Sequence, residues 1–438
     1  MNAIKLLALF ILLSCHATAQ EVWTLKKCLE TGLQNKLDFK IKQLDILSAD
    51  VTQRPALLEY LPTVGFSGTH SYSIGSTIDP ATNNRVSSKI QSDNVSLNAS
   101  MNILDLNIFT VARRNKIAAL KARADKEAAE SEYTLLVLER YFTAVYTQEL
   151  LKIQRSQFEN AVFNLNRIAK EVEIGSKPKS DLYDMQVSYA QEENNILETT
   201  QLLENQKLLL LQLLNVTNTT PNAIVLETVA QLESAPLSDI STYETAVTNN
   251  PKVKSALLNE AVLQKNVTIE KNNYLPVLSA FYSYSSFYYQ PLNQPGATVN
   301  PFWTQLNDNK NHYIGLQLSV PIFNGLKTNR DVQLAKLEYQ KGTVVTEQSK
   351  LELRQSIEQE TTKQQQNTLL VSKLEDTQAF AEKSFNTTQS KFTNGLIEAV
   401  VFTASKNQLL TAQYSLLKAK VTSQYLDLKL RFLQYNAL

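Results

Sequence analysis

The stretch DNVSLNASMNIL, residues 93–104, decides the fold because it alternates strictly between apolar and polar residues. Its apolar positions are Val95, Leu97, Ala99, Met101 and Ile103. Successive side chains of a strand point to opposite faces, so this strand has one apolar and one polar face. About ten residues with this pattern fit a strand that crosses an outer membrane at a tilt, between lipid and a water-filled lumen. A half-buried strand of a soluble sheet is the alternative interpretation.

This strand belongs to an internal duplication. The motifs EYLP (59–62) and NYLP (273–276) each precede an alternating strand, a polar loop, a second alternating strand and a long helical stretch. The period of roughly 215 to 220 residues is far longer than the 20 to 50 residues of solenoid repeats. We therefore predict two similar halves, residues 20–216 and 238–438, joined by a proline-containing linker at 217–237.

The helices of each half are too long for a compact globular domain. No Pro or Gly interrupts residues 107–172, and a helix of that length would be on the order of 100 Å long at 1.5 Å per residue. Gly175 and Pro178 end it, and Ser180 and Asp181 are predicted to cap a return helix. The first half thus contains a long antiparallel helical hairpin.

The second half repeats the hairpin with a more polar helix. Residues 324–392 form the predicted helix, Asn394 and Gly395 make the turn, and residues 396–433 return. Between residues 355 and 368 only one side chain of fourteen is large and apolar, so this stretch cannot line an ordinary core. It fits a solvated coiled-coil stalk or the wall of a water-filled tube equally well.

The strand count predicts an oligomer. Two strands in each half give four per chain, and a sheet in lipid cannot leave its edges open. Two chains would give eight strands with a filled interior, whereas three would give twelve and begin to leave an aqueous lumen. A tube of helices requires the larger assembly.

Composition argues against nucleic-acid binding and enzymatic activity. The 43 basic residues balance 42 acidic ones, so the basic surface of a nucleic-acid-binding protein is missing. The three His residues are scattered, and with two Cys residues they form neither a metal-binding cluster nor a disulfide framework. Cys28 is predicted to be a lone buried thiol. We expect no cofactor, because no phosphate-binding loop or catalytic motif is present either.

The first residues indicate secretion. One cation, Lys5, precedes an apolar run at 6–13, and Ala17-Thr18-Ala19 fits the small-residue site that a signal peptidase cleaves. The run is too short to span a bilayer. We predict a signal peptide at 1–19, and lipidation at Cys15 within a loose lipoprotein motif is the alternative.

Several motifs, in their order and spacing, resemble the TolC family of outer-membrane efflux proteins. They are WTLKKCLE at 23–30, the two Tyr-Leu-Pro motifs, VPIFNG at 320–325, and the turns at 174–176 and 394–396. The resemblance covers essentially the whole mature chain. It implies a mainly α-helical fold, in which a homotrimer builds a 12-stranded transmembrane β-barrel in outer-membrane lipid and an α-helical barrel across the periplasm.

The resemblance also implies a function. The trimer would be the exit duct of a tripartite efflux or type I secretion system. It would engage a periplasmic adaptor protein and, through it, an inner-membrane transporter of the RND, ABC or MFS class. Adaptors would dock at the hairpin ends, which are Ile174, Gly175, Ser176, Asn394, Gly395 and Leu396.

Family members narrow the periplasmic end with inward-facing acids. Asp181 and Asp184 are three residues apart and so share a helix face. Alternatively, Asp181 helps to start the helix and Asp184 is a solvated acid of its first turn. The second hairpin departs from the acidic pattern, with Glu398 as its nearby acid. The candidate constriction residues are therefore Asp181, Asp184, Glu398, Val401 and Ala404.

Two other classes share parts of this pattern. A periplasmic adaptor would be expected to carry one helical hairpin between soluble β-domains, whereas this chain has two hairpins and strands of membrane-crossing length. A trimeric adhesin or stalk needs only one anchor unit, usually a terminal one. An outer-membrane export duct accounts for all of the features together.

Overall fold

A computed structural model describes residues 21–78, 83–228, 240–292 and 299–437. The predicted signal peptide, Cys15 and residues 229–237 of the predicted linker lie outside the described residues. The chain divides into two compact units. Among the described residues, the helical unit comprises 21–44, 123–228, 240–255 and 347–437, and the sheet unit comprises 45–78, 83–122, 256–292 and 299–346. Each unit therefore takes segments from both sequence repeats.

Helices make up most of the described chain. The α-helices are α1 Leu25–Asn35, α2 Leu37–Thr52, α3 Leu106–Glu173, α4 Lys179–Leu213, α5 Ile240–Asn249, α6 Pro251–Asn272, α7 Phe302–Asp308, α8 Lys327–Thr393 and α9 Ala399–Tyr435. The strands are β1 Glu21–Trp23, β2 Thr63–Ile78, β3 Arg85–Leu104, β4 Ile224–Leu226, β5 Val277–Pro291 and β6 Asn311–Ser319. Within the described ranges, no helix carries an apolar run that could span a membrane. The two predicted hairpins are confirmed as α3–α4 and α8–α9.

The sheet unit is built on one antiparallel sheet with the order β2-β3-β5-β6. Thr63 of β2 pairs with Ser100 of β3, and Val277 of β5 pairs with Ser319 of β6. The prediction of about ten residues per strand is wrong for β2, β3 and β5, which have 16, 20 and 15 residues. They are longer because the β2–β3 ladder continues to Ile78 and Arg85, and the β3–β5 ladder continues to Ile90 and Pro291. Strands β2 and β6 form the two edges.

The predicted alternation of faces is confirmed by the strand register. Leu97 lies beside Phe66 on one side and Tyr284 on the other, so the apolar residues of three strands share one face. Ser96 lies between Ser67 and Ser285 on the opposite face. Most of the large side chains on the apolar face are exposed within the single chain.

A small parallel pair of strands, β1 and β4, organises the core of the helical unit. The Tyr141 hydroxyl on α3 donates to the backbone carbonyls of Trp23 and Glu227, at 3.1 and 2.7 Å. Cys28 is fully buried nearby, and burial raises the pKa of its thiol to about 12. Cys28 is thus a protonated core residue, as predicted, whereas β4 forms in a segment predicted to be a linker.

The polar stretch of α8 packs on α9 through hydrogen bonds. Asn367 Nδ2 donates to the carbonyl of Ala419 at 2.9 Å, and Gln364 Nε2 donates to Asp427 at 2.7 Å. Glu360 is buried and accepts from Lys363 and Lys429, both at 3.0 Å. Neighbouring polar side chains therefore brace the helix that cannot line an ordinary core.

Candidate functional site

The two hairpins end in the same backbone motif. Gly175 and Gly395 adopt φ values of +77° and +72°, which an L-residue rarely adopts. The amide of Gly175 donates to the carbonyl of Val172 at 3.1 Å, and the next amide, of Ser176, donates to Glu171 at 2.8 Å. The second hairpin repeats both bonds at Gly395 and the residue after it. This pattern is the Schellman C-cap, which satisfies the last carbonyls of a helix and reverses the chain.

The six predicted docking residues are all exposed at these turns. Ile174 is 78% exposed and Leu396 is 72% exposed. Each flanks its glycine on one side, Ile174 before Gly175 and Leu396 after Gly395. An exposed aliphatic side chain at the end of each hairpin is available to another protein, because nothing in the described chain covers it.

An apolar cluster behind the turns joins the two hairpins. Its buried members are Ile168, Met185, Phe392, Ala399 and Phe402. The rings of Phe392 and Phe402 stack at 4.4 Å with an interplanar angle of 10°. The Arg167 guanidinium lies 4.8 Å from the centroid of the Phe392 ring, a cation–π contact between α3 and α8. The exposed tips therefore rest on a packed base.

Asp181, the first candidate constriction residue, is buried and ion-paired. Its Oδ2 lies 3.5 Å from Lys177 Nζ, and both side chains are largely shielded from water. The Lys177 ammonium also lies 5.6 Å from the centroid of the Phe392 ring. The predicted N-cap at Ser180 and Asp181 is wrong, because α4 begins at Lys179 after Pro178, which makes no side-chain cap.

The other candidate residues lie on the surface. Asp184, Glu398, Val401 and Ala404 are all exposed in the single chain. Asp184 is thus separated in environment from Asp181, although both are on α4. Of the two acids of the first hairpin, the structure leaves Asp184 open to solvent.

Sequence reasoning missed a buried ion pair between the hairpins. Lys406 Nζ on α9 lies 3.1 Å from Glu192 Oε1 and donates to Ser188 Oγ at 2.8 Å. All three residues are buried. A signal was present, because Asp181, Met185, Ser188 and Glu192 follow the spacings of four, three and four that mark one face of a helix. Polar residues on that seam need partners.

The polar face of the sheet carries its own hydrogen bonds. Ser67 and Ser96 hydroxyls lie 2.7 Å apart, and Asn98 Nδ2 donates to Ser96 Oγ at 3.0 Å. Ser283 Oγ in turn donates to Asn98 Oδ1 at 2.7 Å. Small hydroxyl and amide side chains on one face and exposed apolar ones on the other suit a sheet between water and lipid.

Comparison with solved structures identifies the fold. The chain superposes on CusC with a TM-score of 0.80 at 16% identity, over 94% of this chain and 91% of that one. It superposes on the outer membrane protein VceC of Vibrio cholerae with a TM-score of 0.77 at 15% identity, over 94% and 96%. The CmeC outer membrane channel of Campylobacter jejuni gives 0.77 at 17% identity, over 94% and 86%. The fold is that of outer-membrane channels.

A family comparison covers most of the second half of the sequence. Residues 242–431 match the model of the outer membrane efflux protein family. No curated protein matches the chain in sequence. The predicted resemblance to the TolC family of outer-membrane efflux proteins is confirmed. The family consists of channels and not of enzymes.

Proposed function

We propose that this protein is the exit duct of a tripartite efflux or type I secretion system. It would act as a homotrimer in the outer membrane, with a periplasmic adaptor protein and an inner-membrane transporter of the RND, ABC or MFS class as partners. The observation that carries the proposal is the four-stranded sheet, which has an exposed apolar face and two edge strands, β2 and β6, each paired on one side only. In lipid such edges need partners.

The strand order supports closure by further copies. Neighbouring strands in β2-β3-β5-β6 run antiparallel, so the next strand after β6 must run in the direction of β2. A second copy would therefore add its β2 to β6 of the first and continue the antiparallel pattern. Three copies would close twelve strands, which is large enough to leave a lumen.

The hairpin ends are the proposed adaptor-docking surface. Ile174 and Leu396 are exposed aliphatic residues at two turns of the same conformation. Three copies would present six such turns, and a ring of similar apolar tips suits a partner that contacts them repeatedly.

The proposed constriction rests on Asp184 in place of Asp181. Three exposed Asp184 carboxylates around a pore would favour cations. Asp181 is paired with Lys177 and would add no free charge to the ring. Glu398, Val401 and Ala404 are exposed on the second hairpin and would complete the narrow end with one acid and two apolar positions.

Deletion and complementation test the function. A strain without this gene should become sensitive to compounds that it otherwise exports, or should lose secreted proteins, and the wild-type gene should restore the lost trait.

The double variant Ile174→Asp/Leu396→Asp tests the docking surface. It should reach the outer membrane as a trimer but fail to restore the lost trait, because carboxylates would disrupt an apolar docking contact. The control Thr387→Asp changes an exposed residue of α8 and should restore it. Full restoration by the double variant would contradict adaptor docking at the tips.

A further inference from the structure

Two apolar segments flank the edge strands of the sheet unit. Apart from Tyr60, whose hydroxyl donates to the carbonyl of Asp105 at 3.4 Å, most of their large side chains are exposed within the described chain. The trailing segment, residues 320–323, follows β6, and the leading segment, residues 57–61, precedes β2. Ile322 is 95% exposed and Phe323 is 81% exposed in the trailing segment. Leu57, Leu58 and Leu61 are exposed in the leading segment. Side chains this apolar are rarely left in water at one place unless something covers them.

The internal duplication provides a template for what covers them. The end of β3 and the residues after it read LDLNIF at 104–109, and the corresponding residues at β6 read LSVPIF at 318–323. The motifs EYLP before β2 and NYLP before β5 are separated by the same number of residues as these two segments. The segment after β3 thus corresponds to the trailing segment, and the segment before β5 corresponds to the leading segment.

Inside one chain the two template segments meet. Strands β3 and β5 are antiparallel neighbours, so the end of β3 and the start of β5 lie at the same end of the sheet. Asn107 Nδ2 donates to Asn273 Oδ1 at 2.9 Å, and Asn272 Nδ2 donates to Thr110 Oγ1 at 3.0 Å. The segment that leaves one strand therefore contacts the segment that approaches the next strand.

Corresponding side chains are more exposed in the trailing and leading segments than in the template segments. This difference is expected if the trailing and leading segments lack a partner that the template segments have. Leu275, in the template, is 38% exposed, whereas the corresponding Leu61 is 60% exposed. Ile108 is half-buried, whereas the corresponding Ile322 is almost fully exposed. Strand β3 runs directly into α3, but Pro321 lacks the backbone N–H that a helix needs, and α8 begins only at Lys327. The trailing segment thus stays outside helix and strand, and its large apolar side chains are exposed.

We propose that the trailing segment of one copy packs on the leading segment of the next copy. This inference rests on the proposed trimer, in which β6 lies antiparallel beside β2 of the neighbouring copy. That arrangement brings the end of β6 and the start of the neighbour's β2 to the same end of the closed sheet. Val320, Ile322 and Phe323 would then bury Leu57, Leu58 and Leu61 of the neighbour, and three such apolar contacts would seal the strand-to-helix junctions.

Cysteine pairs test the contact in full-length protein in outer membranes. Asn107 and Asn273, which are hydrogen-bonded within one chain, correspond to Pro321 and Glu59. The test variant is therefore Glu59→Cys/Pro321→Cys, and a short bis-maleimide is added to cross-link the two cysteines. The single variants are controls for random bridging, and Asn107→Cys/Asn273→Cys is a control that should bridge within one chain. A separate edge series combines Ser67→Cys with Tyr313→Cys, Gly315→Cys or Gln317→Cys and reports pairing of β2 with β6. The native Cys28 is buried and stays in place.

The expected result is a ladder of covalent dimer and trimer from Glu59→Cys/Pro321→Cys, well above both single variants. If a pair in the edge series yields trimer and this pair does not, the contact is wrong while the trimer stands. If no edge pair yields an oligomer and the protein extracts as a single chain, the proposed duct fails and the contact fails with it.

A stability measurement adds an independent readout. Ile322→Ser/Leu58→Ser should lower the temperature at which the trimer dissociates in detergent, because it removes apolar area from each junction. Ile174→Ser removes another exposed aliphatic residue, from a hairpin tip, and should leave that temperature unchanged. An equal effect of both changes, or no effect of the double variant, would overturn the proposal.

Discussion

Within the described part of the helical unit, three carboxylates are buried, and each is paired with lysine. Asp181 pairs with Lys177, Glu192 with Lys406, and Glu360 with two lysines. An isolated charge removed from water is strongly unfavourable, so the partners are what allow these residues on packed faces. Replacing only one residue of such a pair should therefore lower the unfolding free energy more than replacing both residues.

Glu360 gives the first prediction. Burial alone would raise the pKa of the Glu360 carboxyl. Hydrogen bonds from Lys429 and Lys363 outweigh burial, so the pKa is lowered overall. Its stabilising effect should be complete above the ordinary glutamate pKa of 4.5 and lost as the pH falls below it. Glu360→Gln should lower the unfolding free energy by about 1–3 kcal/mol at neutral pH, and the difference from wild type should shrink in acid.

The control for this change is Glu358→Gln. Glu358 accepts from Arg354 on the exposed side of the same helix, and an exposed pair of this kind contributes little to stability. Thermal unfolding from pH 3 to 8 compares the two variants. A pH-independent loss in Glu360→Gln would mean that its carboxylate charge is not the stabilising feature.

The Lys406–Glu192 pair gives the second prediction. Lys406→Met leaves a buried carboxylate without its cation and should destabilise the hairpins by about 3–5 kcal/mol. Lys406→Met/Glu192→Met should recover most of this loss, since an apolar pair of similar volume is often neutral. Chemical denaturation of the three proteins measures the coupling. A double variant as unstable as the single one would refute a dominant role for the unpaired charge.

At the scale of elements, the turns are the most predictable feature. Gly175 and Gly395 were expected to reverse the chain, and both have the positive φ that their place after a long helix requires. The exact start of α4 was not predictable, because Ser180 and Asp181 favour an N-cap while Pro178 fixes the backbone before them. Strand β4 was missed because three residues carry no periodic signal and depend on partners distant in sequence.

The third prediction concerns these glycines. Gly175→Ala and Gly395→Ala introduce a side chain at positive φ and should each cost about 1 kcal/mol, although nothing lies near the added methyl group. Gly65→Ala has equally open surroundings at ordinary φ and serves as the control. The melting temperatures of the three variants are compared with that of the wild type, and the two turn variants should show the larger decrease. Equal shifts at Gly175 and Gly65 would show that backbone conformation does not matter at the turn.

For the hairpin ends proposed as the site, the sequence predicted the position of the turns better than the burial of the nearby carboxylates. It located the tips because glycine and proline mark turns by local rules. It could not separate Asp181 from Asp184, since both fit one helix face, and only packing against Lys177 and Phe392 decides which carboxylate is buried. Burial between two hairpins depends on contacts far apart in sequence, and helical spacing alone does not specify it.

At the scale of the whole molecule, the fold could be predicted because the sequence shows two clear hydrophobic periods, one of strands and one of helices. Period-two strands and helices far longer than a globular domain allows left few architectures open. Strand pairing followed from the duplication, since each half supplies one hairpin of strands. Neither period specifies how many copies assemble, and that number comes from the open edges of the sheet.

The most direct test of the account is the number of chains in the assembled protein. Native mass spectrometry of the full-length protein, extracted from outer membranes in mild detergent, measures it. A complex of three copies is expected, because four strands per chain leave an open lumen when twelve strands close. A single chain, or a stable complex of two, would contradict it.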